Sequence, residues 1–129
     1  MKKNLFILLA LLLIFTGCTT KKPDETSILP GQSLASAKLQ TDALPTVNTM
    51  ISLYDNSNPC KQMVVTDTKV LENPYDVSVK DDRILSAKWS EEWTVNACGI
   101  EFDVPISFIQ SETGTTFIVK KETIRKKSS

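Results

Sequence analysis

The 129-residue chain contains no histidine, and its 15 basic residues are matched by 15 acidic ones. Histidine is the commonest general base near neutral pH and the commonest transition-metal ligand, so its absence argues against metalloenzymes and many hydrolases. A balanced charge gives no electrostatic reason to propose nucleic acid as a partner. Glycine-rich phosphate loops, nucleophile elbows and zinc-ligand spacings are also missing. The sequence therefore predicts no catalytic residue, no metal site and no cofactor.

Within the predicted domain, tight pairs of acidic residues occur at Asp81-Asp82 and at Glu91-Glu92. Asp81 and Asp82, with Asp76, lack the spacing of a calcium loop. Glu91 and Glu92 cannot converge on one substrate, because neighbouring residues of a strand point to opposite faces. Glu91 falls on the tryptophan face, where we expect it to lie beyond the core edge or to pair with Lys69 across the strands. An enzyme would therefore need an unrecognised carboxylate or hydroxyl site.

The amino terminus carries Lys2 and Lys3 before an unbroken apolar run over residues 5–15. This run is shorter than the roughly 20 residues that a membrane span needs. A charged start, an apolar stretch and small residues at the exit are typical of a secretory signal. Residues 1–17 are therefore predicted to be a signal peptide.

Thr16, Gly17 and Cys18 at the end of this run resemble the lipobox of bacterial lipoprotein precursors, although Phe15 stands where that family prefers leucine. The resemblance implies that Cys18 receives a diacylglyceryl thioether, that the signal is cut before it, and that the new amine is acylated. Three fatty chains would hold the protein on a membrane. Since Thr19 follows rather than aspartate, the resemblance favours the periplasmic face of the outer membrane if the host has two membranes.

Three further segments follow the predicted lipidation site. Residues 18–32 are rich in polar residues and proline without apolar periodicity, which predicts a flexible tether. Residues 33–121 are expected to form one small domain, and residues 122–129 a basic flexible tail. Within the domain, residues 33–44 are a weak helical candidate. Pro45 suits the first turn of a helix whose apolar stripe is formed by Val47, Met50, Ile51 and Tyr54.

Alternating apolar residues predict four strands after this helix. The first covers residues 63–71 and is followed by a loop or poorly formed edge up to Arg83. The second covers residues 84–98, with Trp93 assigned to the core, and the third and fourth contain Phe102–Phe108 and Phe117–Val119. The predicted fold is α+β and mostly β: a four-stranded antiparallel meander with one short N-terminal helix packed on its apolar face.

The turns predict how the strands pair. A turn at Gly99-Ile100 would set Ala97 opposite Phe102 and Trp93 opposite Ile106. A turn over residues 111–114 would set the third strand against the fourth with Phe108 opposite Phe117 and Ile106 opposite Val119.

Cys60 precedes the first strand and Cys98 ends the second, so antiparallel pairing brings the two cysteines to one end of the sheet. No Cys-x-x-Cys motif indicates a redox role. In an exported protein, a structural disulfide between Cys60 and Cys98 is therefore predicted.

The W-x3-W-x-V-x2-C-G pattern formed by Trp89, Trp93, Val95, Cys98 and Gly99 is similar to that of small uncharacterised bacterial lipoproteins and secreted proteins. That resemblance implies fold and export, and no activity. The favoured interpretation is a membrane-anchored envelope lipoprotein with a small non-catalytic domain that binds a protein or an envelope component.

Two other functions remain open at this point. One is a passive structural or spacer lipoprotein, which would expose no apolar or concave patch, and the other is the enzyme already described. For the binding function, the residues with a possible surface role are Tyr75, Trp89 and Glu91.

Overall fold

The computed structural model describes residues 27–127, which form one α-helix and an antiparallel sheet. The elements are α1 (Ala37–Tyr54), β1 (Met63–Lys80), β2 (Arg83–Ala97), β3 (Ile100–Ser111), β4 (Gly114–Val119), a 3-10 turn (Lys121–Thr123) and β5 (Arg125–Lys126). The strand order is β1-β2-β3-β4, and the short β5 pairs with β3. The predicted mostly-β class with one helix and an antiparallel sheet is confirmed.

The helix begins earlier than Pro45, and the prediction that Pro45 opens it is wrong. Ser36 is the N-cap, and its hydroxyl accepts a hydrogen bond from the Leu39 amide at 3.2 Å. Every fourth residue then faces the sheet, namely Leu39, Ala43, Val47 and Ile51, so one buried stripe runs past the proline. Packing of this stripe offsets the hydrogen bond that an internal proline removes.

The core lies between α1 and one face of the sheet. It contains the helix stripe together with the alternating residues of the two central strands, and Trp93, as predicted, is fully buried. The core residues contributed by β2 and β3 are Trp89, Trp93, Val95, Ala97, Phe102, Val104, Ile106 and Phe108. The Trp89 and Phe108 rings stack with their centroids 5.1 Å apart, so the aromatic layer is continuous across both strands.

The turn between β2 and β3 lies at Cys98-Gly99, one residue before the predicted position. Cys98 has a φ of 53° and Gly99 a φ of 95°, as a two-residue turn with both central residues left-handed requires. The Asn96 side chain accepts the Gly99 amide hydrogen at 2.8 Å. Ala97 therefore pairs with Ile100 and Trp93 with Val104, which corrects the predicted register by two residues.

The pairing of β3 with β4 follows the predicted register. Phe108 lies opposite Phe117 and Ile106 opposite Val119, and the turn falls between Ser111 and Gly114. The disulfide between Cys60 and Cys98 is also confirmed, with the two Cα atoms 5.7 Å apart.

Strand β1 is twice as long as predicted and continues to Lys80. Beyond Val70 it pairs with β2 through several register shifts, and neither Asn73 nor Pro74 has a partner in β2. A proline is tolerated at such a bulge because its position there requires no amide donor. The predicted loop is therefore an irregular edge strand, and it closes at an Asp81-Asp82 turn in which both residues have positive φ.

Both ends of the described chain pack on the domain. Residues 27–32, assigned to the tether by composition, are joined by hydrogen bonds to α1 and β1. Residues 122–127, predicted to be a flexible basic tail, include the buried Ile124 and strand β5, which pairs with Phe102 and Asp103. Apolar anchoring by Ile124 and an unpaired stretch of β3 beyond the end of β4 explain this difference.

Candidate functional site

The candidate site lies between two parts of the molecule near the N-terminus of α1. We call residues 27–36 the strap, and we call β1 residues 75–80 with β2 residues 83–86 the ribbon. The ribbon extends beyond β3, whose pairing with β2 ends at Ala87 opposite Gln110. The strap crosses from α1 to the middle of the sheet, and an apolar groove separates it from the ribbon.

The Glu91 side chain ties the strap to the sheet. Its carboxylate is fully buried and accepts four hydrogen bonds. The Trp89 and Trp93 indole N–H groups donate at 3.0 and 2.8 Å, and the Ser33 hydroxyl and the Leu34 amide each donate at 2.7 Å. These four donors occupy all the lone-pair sites of a carboxylate. Glu91 therefore has no free acceptor with which to hold a ligand or move a proton.

A second buried polar side chain fixes the beginning of the strap. Gln40 on α1 is fully buried, and its side-chain oxygen accepts the amides of Ile28 and Leu29 at 2.9 and 3.1 Å. Its side-chain nitrogen donates to the Ala35 carbonyl at 3.0 Å. Gln40 thus acts on both ends of the strap and holds it in a closed loop.

The middle of the strap lies against the edge of β1. Gln32 donates its amide to the Thr68 carbonyl at 2.8 Å, and the Thr68 hydroxyl donates to the Pro30 carbonyl at 2.7 Å. Gly31 has a φ of +99°, and a Cβ placed there would lie 2.3 Å from the Thr68 carbonyl oxygen. Only glycine allows the strap to approach the strand this closely.

An apolar groove of about 250 Å³ opens beside the strap. It is lined by Leu34, Pro74, Val77, Ile84, Ala87, Trp89 and Gln110. Leu34, Val77 and Ile84 are each about half exposed, so the groove presents large apolar side chains to solvent. Its floor is Trp89, which is held in place by the hydrogen bond to Glu91.

The opposite face of the sheet carries a charged network. Glu92 is buried beneath Arg125 at 2.9 Å and Lys69 at 3.4 Å, so Lys69 pairs with Glu92 and not with its neighbour on the tryptophan face. Beside it, the Thr94 hydroxyl donates to Asp103 at 3.0 Å, and Lys127 lies 3.7 Å from the same carboxylate. The charged side chains of this network pair with one another and fasten the C-terminal segment to the sheet.

The residues predicted to have a surface role are placed differently by the structure. Tyr75 is 43% exposed on the ribbon, as a surface role requires. Glu91 is fully buried and Trp89 is 7% exposed, so neither side chain stands out at the surface as expected. Trp89 still lines the groove, and its binding role stays a prediction. The strap, which composition did not reveal as structured, covers Glu91 through Ser33 and Leu34. Cys18 lies outside the described residues, and its predicted lipidation stays a prediction.

Sequence reasoning missed Ser33, Leu34 and Gln40, which hold the strap. The Trp-x-Glu-x-Trp spacing contains a usable signal, because alternate residues of a strand share a face and two indole donors then flank one carboxylate. A buried carboxylate needs further donors, and these come from the segment that precedes the helix.

Three negative findings apply to residues 27–127. No side-chain nitrogen or oxygen that is buried there lacks a hydrogen-bond partner. Within that range no group of three or more acidic or cysteine side chains is placed to hold a metal ion. The helix in this part of the chain is not apolar enough over its length to cross a membrane.

Comparison with known proteins gives no relative. No protein-family model, no curated protein and no solved structure matches the chain.

Proposed function

We propose that this protein is an envelope lipoprotein, anchored through Cys18, whose domain binds a protein or another envelope component through the apolar groove. The groove between the strap and the ribbon carries the proposal. Contiguous exposed apolar surfaces rimmed by polar residues often mark binding sites. A spacer protein has no need of such a surface, so the groove favours a binding domain over a passive one.

The Cys60–Cys98 disulfide supports the exported location. Disulfides form and persist in oxidising compartments such as the periplasm and the cell surface. Here the bond joins the start of β1 to the β2–β3 turn and is part of the fold. An exported domain agrees with a signal peptide that ends at the lipobox.

The short distance along the chain from Cys18 to the strap also supports a role near the membrane. Nine residue steps separate Cys18 from Ser27. A chain of that length spans at most about 30 Å when extended. Lipidation of Cys18 would therefore keep the strap and the adjoining groove close to the bilayer, where envelope components are concentrated.

The contacts of Glu91 support a non-catalytic domain. Its four lone-pair sites are occupied by donors from the strap and from two tryptophans. Glu92 and Asp103 on the other face are likewise engaged by cations. All three carboxylates are engaged in stabilising the fold, and Glu91 also holds Trp89 at the floor of the groove.

The anchor is tested by expressing the full chain and a Cys18→Ser variant in a bacterial host. The unaltered chain should incorporate labelled fatty acid and sediment with membranes, and the variant should do neither. Equal labelling and sedimentation of the two chains would contradict lipidation at Cys18.

The groove is tested with two charge substitutions of exposed isoleucines. Ile84→Glu places a charge in the groove, whereas Ile118→Glu places one on β4, outside it. Components that co-purify with the tagged full chain from detergent-solubilised envelopes should be lost with the first variant and kept with the second. Retention in both, or loss in both, would argue against the groove.

A further inference from the structure

The outer edge of β1 in the ribbon has no neighbouring strand in the described range. Its two strands extend past β3, and a two-stranded ribbon alone is of marginal stability. The strap covers the outer edge of β1 only around Thr68, and β1 is the terminal strand of the sheet over the described range. Val77 and Val79 on this edge are 46% and 59% exposed.

The backbone groups that this edge offers can be assigned from the turn. Lys80 and Arg83 flank the two-residue Asp81-Asp82 turn and face one another as partners. Residues that flank such a turn form a hydrogen-bonded pair, so the Lys80 amide and carbonyl point toward β2. The register with β2 shifts on both sides of Ser78, and Val77 has no partner in β2. Because backbone direction alternates along β1 itself, we infer that the amides and carbonyls of Val79 and Val77 point outward.

The side chains along this edge are complementary to those of a second, antiparallel copy of the same segment. The sequence from residue 76 to residue 80 is Asp-Val-Ser-Val-Lys. Two antiparallel copies centred on Ser78 would set Val77 opposite Val79 as a hydrogen-bonded pair, twice. They would also set Asp76 opposite Lys80 twice, in the closely spaced non-hydrogen-bonded positions where opposite charges attract.

We propose that the free edge of β1 pairs with the same edge of a second copy of this chain, about a two-fold axis at Ser78. The two ribbons would then form one four-stranded antiparallel sheet between the copies. Such an isologous contact closes on itself and gives a dimer, not a filament.

The ends of the paired segment are set by residues that cannot continue it. Asp76 has a φ of 51°, which turns the strand, and Pro74 has no amide hydrogen to donate. Asp76 also lies 3.7 Å from Lys88 of its own chain, so in the dimer it would sit between two cations. The contact is therefore confined to residues 76–80.

Cysteine crosslinking tests the axis directly. A Ser78→Cys substitution would place two thiols opposite each other on strands whose Cα atoms lie about 4.5 Å apart, a distance that a disulfide spans. Ser86→Cys is the matched control, since Ser86 pairs with Ser78 inside the same ribbon but lies on β2. Both serines belong to the ribbon, outside the core cluster.

The full chain of each variant would be exported, oxidised and run on a non-reducing denaturing gel. The Ser78→Cys chain should migrate mainly as a covalent dimer that dithiothreitol separates, and the Ser86→Cys chain should remain a monomer. Absence of dimer from the Ser78→Cys chain, or equal dimer from both chains, would overturn the proposal.

Charge reversal provides the second test. Adding Lys80→Glu to the Ser78→Cys chain sets acids opposite each other at both ends and should reduce the dimer band several-fold. Adding Lys120→Glu, at an exposed position outside the ribbon, should leave the band unchanged. Equal bands from the two double variants would contradict pairing through Asp76 and Lys80. Failure of the crosslinking tests would not contradict the groove proposal. That proposal is tested separately with Ile84→Glu and Ile118→Glu, which retain Ser78.

Discussion

Glu91 shows how a buried carboxylate can be held without a cation. Moving an ionised carboxylate out of water is costly unless hydrogen bonds replace its hydration. Two indole groups, a hydroxyl and a backbone amide supply four such bonds at 2.7 to 3.0 Å. Because two of these donors belong to the strap and two to β2, the carboxylate stabilises the packing of one on the other.

Substitution of Glu91 should therefore strongly destabilise the fold. Glu91→Gln keeps the shape but replaces one acceptor oxygen with an NH2 group that faces existing donors. Leaving buried donors unpaired around a formerly charged group should lower the free energy of unfolding by about 3 kcal/mol. The measurement is urea denaturation followed by tryptophan fluorescence. Glu112→Gln, in the exposed β3–β4 turn, is the control and should change stability by less than about 0.5 kcal/mol.

At the scale of elements, the strap depends on the close approach of Gly31 to Thr68. Gly31→Ala adds a Cβ that would lie 2.3 Å from the Thr68 carbonyl oxygen, at a φ that L-residues rarely adopt. Gly99→Ala is a matched control, because Gly99 has a similar φ of +95° but no atom within 4 Å of a new Cβ. The comparison separates steric overlap from backbone strain.

The Gly99→Ala variant should lose about 1 kcal/mol of unfolding free energy from strain alone. The Gly31→Ala variant should lose at least about 1 kcal/mol more, since the strap must move away from the strand. Amide hydrogen exchange at Gln32 and Leu34 should accelerate only in the second case. Equal destabilisation by the two substitutions would mean that the strap does not depend on this contact.

The disulfide joins elements that are distant in sequence. Cys60 and Cys98 are separated by 38 residues, and closing a loop of this size stabilises a fold by about 4 kcal/mol on the chain-entropy estimate. The double variant Cys60→Ser, Cys98→Ser should lose most of that amount in chemical denaturation. A change below about 1 kcal/mol would show that the sheet end is held by packing alone.

Strand faces were predictable from the sequence, whereas one register was not. Alternation along β2 and β3 identifies Trp93, Phe102 and Phe108 as core, and each is fully buried. A shift of two residues leaves every side chain on its face, so the pattern cannot distinguish a turn at Gly99-Ile100 from the observed turn. The left-handed φ of Cys98 places the turn at Cys98-Gly99. Cysteine is not a residue type that indicates a left-handed turn position, so the sequence does not predict it.

Prediction of the candidate site failed where contacts join segments that are distant in sequence. The strap has the composition of a tether, and its order comes from Glu91 and Gln40, which lie outside it. Residues 122–127 have the composition of a loose tail, yet Arg125 pairs with Glu92 on the sheet. Composition reports local preference, and one buried carboxylate or one ion pair on a distant strand can override it.

For the whole molecule, the two faces of the sheet have different roles. One face packs on α1 and ends in the apolar groove, while the other is occupied by the network around Glu92 and Asp103. The disulfide and β5 fasten the end of the sheet away from the ribbon. The groove is thus the part of the described surface best suited to a partner, and the proposed anchor would hold it near the membrane.

Site-specific photocrosslinking in intact envelopes shows whether the groove contacts a partner. A photoreactive amino acid would replace Ile84 in the groove or, in a separate chain, Ile118 on β4, both of which are exposed. If the groove binds an envelope component, position 84 should give a discrete adduct that contains that component, and position 118 should give none. No adduct from position 84, or the same adduct from both positions, would contradict a binding site in the groove.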